Sequence, residues 1–590
     1  QQALENSDFA ELSLTLRQTL NELSQEKSMD PKLIEKAKDL TEALLHDVSS
    51  QVDEQGCAEQ SVYRRKTTNL LCQIRQILCC CCQTLKQEVA QGNEALSRQI
   101  AAGFASTQES LTTLAEEVAI GFDAVLSHLP CTPKIAITSL PFTITTPGVY
   151  CLSDNMTFTG SGAAITISGT TNVKLDLSNR NLTLTNPAAV GILITDSSEI
   201  AVVNDAILLN APSLETTSAA VQIVSSTKVI LDGLETVNTA KGIWIQGSTD
   251  IQIANAHLLL HSLDATLAAT QGAIRVESSR NIQVVNTVIE SSGFGLYVLD
   301  GSQNIYVANS KFWNSLINVL LRDGQNALLE NIEVLTNISE IAYNLSNVQF
   351  GAGTVFFNSA LIKDSVIANS NPALGFDNIA AVFAQNITIA NSTVSGAGAV
   401  DPSDDYEPAV IHLGVADSND DPTLVANTIF IYNNTLSNTA PLSTARIIRV
   451  ETGSSGITID NNLISGAILD GVLYDGTTQT AIKNNEISRN GNNGILFRAN
   501  TSANVVLNNQ IISNGFDGVR LETHPADRNL VQNNQVIGNS NIGIEDLGGN
   551  NQVYYNSAFS NGVNQYSGVP VSLVGAPGST PVTLGENIAA

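Results

Sequence analysis

The residues best suited to chemistry lie between 401 and 451. There the acidic run Asp401, Asp404, Asp405 and Glu407 precedes His412, which is followed by Arg446, Arg449 and Glu451. Paired carboxylates can divide the work on a glycosidic bond, one protonating the leaving oxygen while the other activates water. With a His and an Arg added, the set suits sugar hydrolysis or lyase chemistry. Catalysis would require Asp404 or Asp405, His412, and Arg446 or Arg449 to converge on one sugar in a groove. The competing reading is a solvated acidic insertion. A second candidate is "DSNDD", where Asp417, Asn419 and Asp421 have the alternating spacing of a calcium loop. Pro422 stands where such a loop needs Gly, and no Glu follows at the twelfth position. Calcium is the one cofactor the sequence suggests, against a plain acidic loop.

Other reactive side chains fit these chemistries less well. In "LLCQIRQILCCCCQTL" consecutive residues on a helix point about 100° apart, so Cys79, Cys80, Cys81 and Cys82 cannot all reach one tetrahedral zinc. Cys72, Cys79 and Cys82 share a face, either as buried small residues, as disulfides between copies, or as acyl carriers. Cys131 and Cys151 could bridge across a first strand or remain thiols. Trp244, Trp313, Tyr297 and Tyr306 could form a sugar-stacking platform if all face outward.

The elements that must position these groups are repeats. Asn pairs at Asn433-Asn434, Asn461-Asn462, Asn484-Asn485, Asn508-Asn509 and Asn533-Asn534 are 28, 23, 24 and 25 residues apart. Gly471-Val472, Gly494-Ile495, Gly518-Val519 and Gly543-Ile544 keep the same time. Such a period marks a solenoid, in which each turn buries its apolar face only against its neighbours. From Ile135 apolar and polar residues alternate as in strands, and Pro147-Gly148 reads as a turn. Turns are expected to start near Ala163, Ala189, Ala219, Lys241, Gly272, Gly293, Ile317, Gly353, Ile379, Ala409, Arg446, Gly471, Gly494, Gly518 and Gly543. Stacked at roughly 4.8 Å, these fifteen or so turns make a rod of about 70 Å.

Residues 1–130 instead carry helical spacing. Leu12, Leu16, Leu20 and Leu23 form one stripe, and Asp30-Pro31 restarts the pattern as a helix cap and first position. A later stripe from Leu96 to Leu129 advances about 3.67 residues per step, the value of an eleven-residue repeat. The expected division is a helical domain over 1–130, a repeat domain over 131–565 and a cap or tail over 566–590.

The opening "ITTPGVYCLSDNMTFTGSGAAITISGTTNVKLDL" and repeats such as "GILFRANTSANVVLNNQIISNGFDGV" resemble right-handed parallel β-helix proteins of the pectin-lyase-like superfamily. The resemblance implies an all-β solenoid, a right-handed parallel β-helix with an N-terminal α-helical domain. It also implies that the Asn marks are an internal ladder of stacked amides that tolerate a left-handed turn. The order of acids, His and Arg is similar to the polygalacturonase-like members, whose Gly-His-Gly and Arg-x-Lys marks appear here as "IHLG" and "RIIR".

The net charge of -28 and pI near 4.4 argue against a nucleic-acid partner, whose phosphates this surface would repel. No apolar window is long enough for a transmembrane segment, and no signal peptide is visible at Gln1. Taken together, the sequence predicts a non-catalytic structural or adhesive protein at an extracellular, cell or particle surface. It would be a homo-oligomer through its helical domain, with polysaccharide or cell-surface glycan as the candidate partner. The alternative is a polysaccharide lyase or glycoside hydrolase acting in a groove along the rod.

Overall fold

The computed structural model describes residues 134–590, apart from 210–217, 260–271, 337–344, 351–356, 370–375, 397–407, 415–424, 439–444, 523–527, 570–587 and a few shorter breaks. The chain divides into two units, Gln1–Pro133 and Lys134–Ala590. The helices, the cysteine run and the oligomerisation domain expected within residues 1–133 lie outside the described residues.

Unit two is an all-β parallel solenoid. One turn illustrates the rest: Gly272–Glu277 forms the first face, Arg280–Val285 the second and Val288–Glu290 the third. Each strand pairs in parallel with its equivalent one turn later, as in Ile274↔Leu296, Ile282↔Ile305 and Ile289↔Phe312. Strand alternation sends those side chains inward, so Ile, Val and Leu stack in files through one continuous core. A fully buried side chain of this size stabilises by roughly 1.5–3 kcal/mol. Yet no turn could keep that burial alone, which is why the repeat must continue.

The first face is a ladder of seventeen strands from Phe142–Ile144 to Asn564–Ser567. A strand of this ladder begins within one residue of every expected turn start except two. Near Gly353 the strand is Leu345–Phe350, and near Ile379 it is Phe376–Ala381. Both errors fall beside insertions, where the spacing of apolar residues no longer tracks the turn. At the far end Ile588–Ala589 returns to pair with Ser557–Phe559 on the third face.

The corners explain the Asn pairs, and the two members do different work. The first member, as in Asn433, Asn461, Asn484, Asn508 and Asn533, takes φ of 55–57° at the bend between second and third faces. Asn tolerates that left-handed conformation at little cost. The second member points inward and is buried. From Asn462 onward the buried Oδ1 accepts the backbone N–H and the Nδ2 of the preceding turn, at 2.8 and 3.0 Å for Asn462 onto Asn485. The Nδ2 of Asn485 also reaches the carbonyl of Ile459 at 2.9 Å, so the buried amide is satisfied on both sides. Nearer the N-terminus serine does the same at the corner between first and second faces. There the N–H of Ser197, Ser226, Ser248 and Ser279 each donates to the next Oγ at 3.1–3.2 Å.

Candidate functional site

The strand Ala409–Leu413 places Ile411 and Leu413 in the core and His412 on the outer side of the first face. Its neighbour Arg446–Val450 sets Arg449 opposite His412 and Arg446 opposite Ala409. These outer side chains are buried: His412 is 1% exposed, Arg446 4%, Glu451 8% and Arg449 9%.

His412 is held between two carboxylates. Its Nδ1 lies 3.2 Å from Asp377 Oδ2 and its Nε2 lies 3.1 Å from Glu451 Oε1. Asp377 is itself fixed, because its Oδ1 accepts the N–H of Ala409 at 2.7 Å. The same Oε1 of Glu451 also meets the guanidinium of Arg449. Burial opposes a charge on His412, but Asp377 and Glu451 outweigh it and raise the imidazole to about 8. Burial likewise opposes ionisation of Glu451, and His412 and Arg449 reverse it, holding that carboxyl below its ordinary range.

Arg446 belongs to a different cluster. Its Nε lies 3.0 Å from Asp470 Oδ2, and Asp470 Oδ1 accepts the N–H and Nδ2 of Asn493 at 3.1 and 2.8 Å. The structure therefore joins His412 to Arg449 through Glu451 and sends Arg446 to the next turn. Asp404 and Asp405, like Asp417, Asn419 and Asp421, lie outside the described residues. Of the groups the catalytic reading requires, His412 and Arg449 thus come together, Arg446 does not join them, and the acids lie outside the described residues. In the protonated form, which the two carboxylates favour, both ring N–H groups are engaged and no lone pair is left to take a proton.

Two residues of this arrangement were missed in the sequence, Asp377 and Asp470. Asp470 had a signal: the Gly-Val marks are preceded by Asp470, Asn493 and Asp517, one register position of the ladder. Asp377 in "GFDNIAAV" has no repeated neighbour to reveal it.

The aromatic residues do not form one platform. Trp244 and Tyr297 lie on the outer side of the first face, but Tyr306 is on the second face and Trp313 on the third. Three of the ring faces are already occupied, since Lys241 Nζ sits 4.1 Å above Trp244, the Arg275 guanidinium 5.1 Å from the centre of Tyr297 and Lys311 Nζ 5.1 Å from that of Trp313. Cys151 is a free thiol, and Cys131 lies outside the described residues.

A separate concavity runs along the bend between second and third faces. It encloses about 430 Å³ and is lined by the exposed amides of Asn433, Asn461, Asn484 and Asn508, with Leu463 and Glu486 beside them. Among the described residues no cluster of three His, Cys, Asp or Glu could hold a metal ion. Among the described residues no helix is long and apolar enough to cross a membrane.

A family model for the right-handed β-helix region matches residues 144–312 and 415–561. No curated protein sequence matches the chain. Several solved structures are similar at low identity. PfbA, a surface adhesin of Streptococcus pneumoniae, shares 14% identity over 61% of this chain and 85% of its own, with a TM-score of 0.32. The periplasmic alginate epimerase AlgG shares 11% over 73% and 77%, with a TM-score of 0.28. A mutant tailspike of E. coli bacteriophage HK620, in complex with pentasaccharide, shares 12% over 68% and 72%, with a TM-score of 0.39. Likeness at this level carries no argument about activity.

Proposed function

The chain belongs to the right-handed β-helix family, and on that premise we propose that it is a non-catalytic structural or adhesive component of an extracellular or particle surface. The observation that carries this reading is the closed state of the His412 cluster. Both ring nitrogens of His412 face carboxylates, Arg449 is committed to Glu451 and Arg446 to Asp470. Groups so paired and buried serve to fix one turn against the next. They are poorly placed to meet a substrate.

In this reading residues 1–130 join copies of the chain into a fibre or filament subunit, and the strong negative charge keeps the rods apart. A surface glycan is the ligand class that an adhesive rod would engage. The test is incubation of the full chain with acidic and neutral polysaccharides while reducing ends and unsaturated products are followed. Binding without turnover is expected. Turnover that disappears in Asp405→Asn, with the fold retained, overturns the proposal in favour of a polysaccharide lyase or glycoside hydrolase.

A further inference from the structure

We propose that the concavity along the bend between second and third faces binds an extended, neutral polysaccharide. The inference rests on the adhesive reading and adds to it a surface and a ligand class. Three features point to it.

The first is pitch. Successive turns stack at roughly 4.8 Å, so Asn433, Asn461, Asn484 and Asn508 present four amides along roughly 14 Å. That step is close to the length of one sugar ring in an extended 1,4-linked chain, so each ring can meet an equivalent amide. A compact ligand would use one or two of them; a regular polymer can use all.

The second is unused hydrogen-bonding capacity. Asn461 Nδ2 donates to Asn433 Oδ1 at 3.2 Å, and Asn508 Nδ2 to Asn484 Oδ1 at 3.4 Å. Asn433 Nδ2 donates to Asn391 Oδ1, and Asn484 Nδ2 to Asp460 Oδ1, each at 2.7 Å. One such bond uses a single N–H of an amide that has two donors and two acceptor lone pairs. Hydroxyl groups, which both donate and accept, complement such a row. A carboxylate or phosphate only accepts, and would leave the amide oxygens without partners.

The third is charge and apolar surface. Glu486 lines the concavity, and the nearest cation on the adjoining second-face strand, Lys483, is paired with Asp460 at 3.2 Å. With a chain charge of -28, an acidic polymer would be repelled. Leu463 is 36% exposed in the concavity, and Phe430 and Tyr432, each 42% exposed, stand on the second face leading to Asn433. Aromatic and aliphatic surfaces of this kind pack against the C–H faces of sugar rings.

The experiment is affinity electrophoresis of the full chain through gels containing a neutral β-glucan, a neutral α-glucan, or alginate. The variants are Asn461→Gly with Asn484→Gly, and separately Tyr432→Ala. Glycine keeps the left-handed bend and removes only the amide, so a folded protein is retained. Far-ultraviolet circular dichroism confirms it. A neutral glucan should retard the unaltered chain, and the double variant should weaken that retardation at least tenfold. Retardation that survives both variants overturns the concavity as the site while leaving adhesion through another surface. Stronger retardation by alginate overturns the neutral class. Retardation by no polymer overturns both this inference and glycan adhesion itself.

Discussion

His412 should make one stretch of the rod lose stability as the pH rises. Its imidazole is raised from the ordinary 6.5 to about 8, chiefly because Asp377 and Glu451 together outweigh the penalty of burial. A group with a raised folded-state value contributes fully below 6.5, and the contribution is lost as pH climbs through 8. A rise of that size corresponds to about 2 kcal/mol, or about thirty-fold in a local opening equilibrium. The other charged groups facing the ring are Arg449, which opposes its protonation, and the carboxylates of Asp377 and Glu451, which favour it. Because a solenoid opens locally and not all at once, a single melting temperature would dilute the effect. Hydrogen exchange read by mass spectrometry, corrected for intrinsic rates and run from pH 6 to 8.5, resolves it. Peptides covering Phe376–Ala381, Ala409–Leu413 and Arg446–Val450 should lose protection by about ten- to thirty-fold. Peptides covering Ile495–Phe497 should not change. Protection in all three strands that is flat with pH, or that falls equally in His412→Gln, would refute the clamp.

The other predictions concern single turns. Lys241 has the opposite sign: burial lowers its ammonium from 10.5 to about 8, so protection of Lys241–Gln246 should rise with pH above 8 in the same exchange experiment. Asn485→Ala removes an acceptor for two buried donors and should cost about 1–3 kcal/mol, whereas Asn484→Gly on the exposed side of the same bend should stay within about 0.5 kcal/mol; urea titration of the pair separates them. Gly518→Ala should fail for lack of space, because a Cβ there would lie 2.3 Å from Val536 Cγ1 and 2.5 Å from the carbonyl of Gly543. A melting temperature within a degree of the unaltered chain would count against that packing. Light scattering should give an oligomer for the full chain and a monomer for residues 134–590, and equal particle masses per chain would remove residues 1–130 as the means of association.

The fold was legible because its physics is periodic. Gly471, Gly494, Gly518 and Gly543 recur since each lies where the next turn's backbone passes too close for a side chain. The Asn pairs recur because one bend needs both a left-handed residue and an inward amide. The serine file from Ser197 to Ser302 obeys the same logic but was unread, since Ser is common and its partners follow at uneven steps of 29, 22, 31 and 23 residues. The site was less legible for a related reason. His412, Arg446, Arg449 and Glu451 were recognised as chemistry-bearing types, but Asp377, the partner of His412, lies 35 residues before it, and Asp470, the partner of Arg446, 24 residues after it. Only the register of the ladder, which insertions at 397–407 and 415–424 obscure, brings them together.

That register also suggests why charges are kept where apolar residues would serve. Replacing a buried ion pair by well-packed apolar groups is often neutral or stabilising, so the pairs are weak evidence for stability as such. A solenoid of similar turns faces a different hazard, because the files of Ile and Val that fill its core would accept a strand from the wrong turn almost as well as the right one. The outer side of the first face removes that degeneracy. If the strand Arg446–Val450 were skipped, so that Val472–Tyr474 followed Ala409–Leu413, Leu473 would stand opposite His412. Asp470 would then fall opposite Ala409, and Glu451 would be lost from the imidazolium. That misplaced turn would thus bury an uncompensated charge, at several kcal/mol. The exposed amide row lacks such a code, since Asn433, Asn461, Asn484 and Asn508 are interchangeable, and that uniformity is what a repeating ligand requires. One face of the rod therefore distinguishes its turns, while the bend between the other two repeats them.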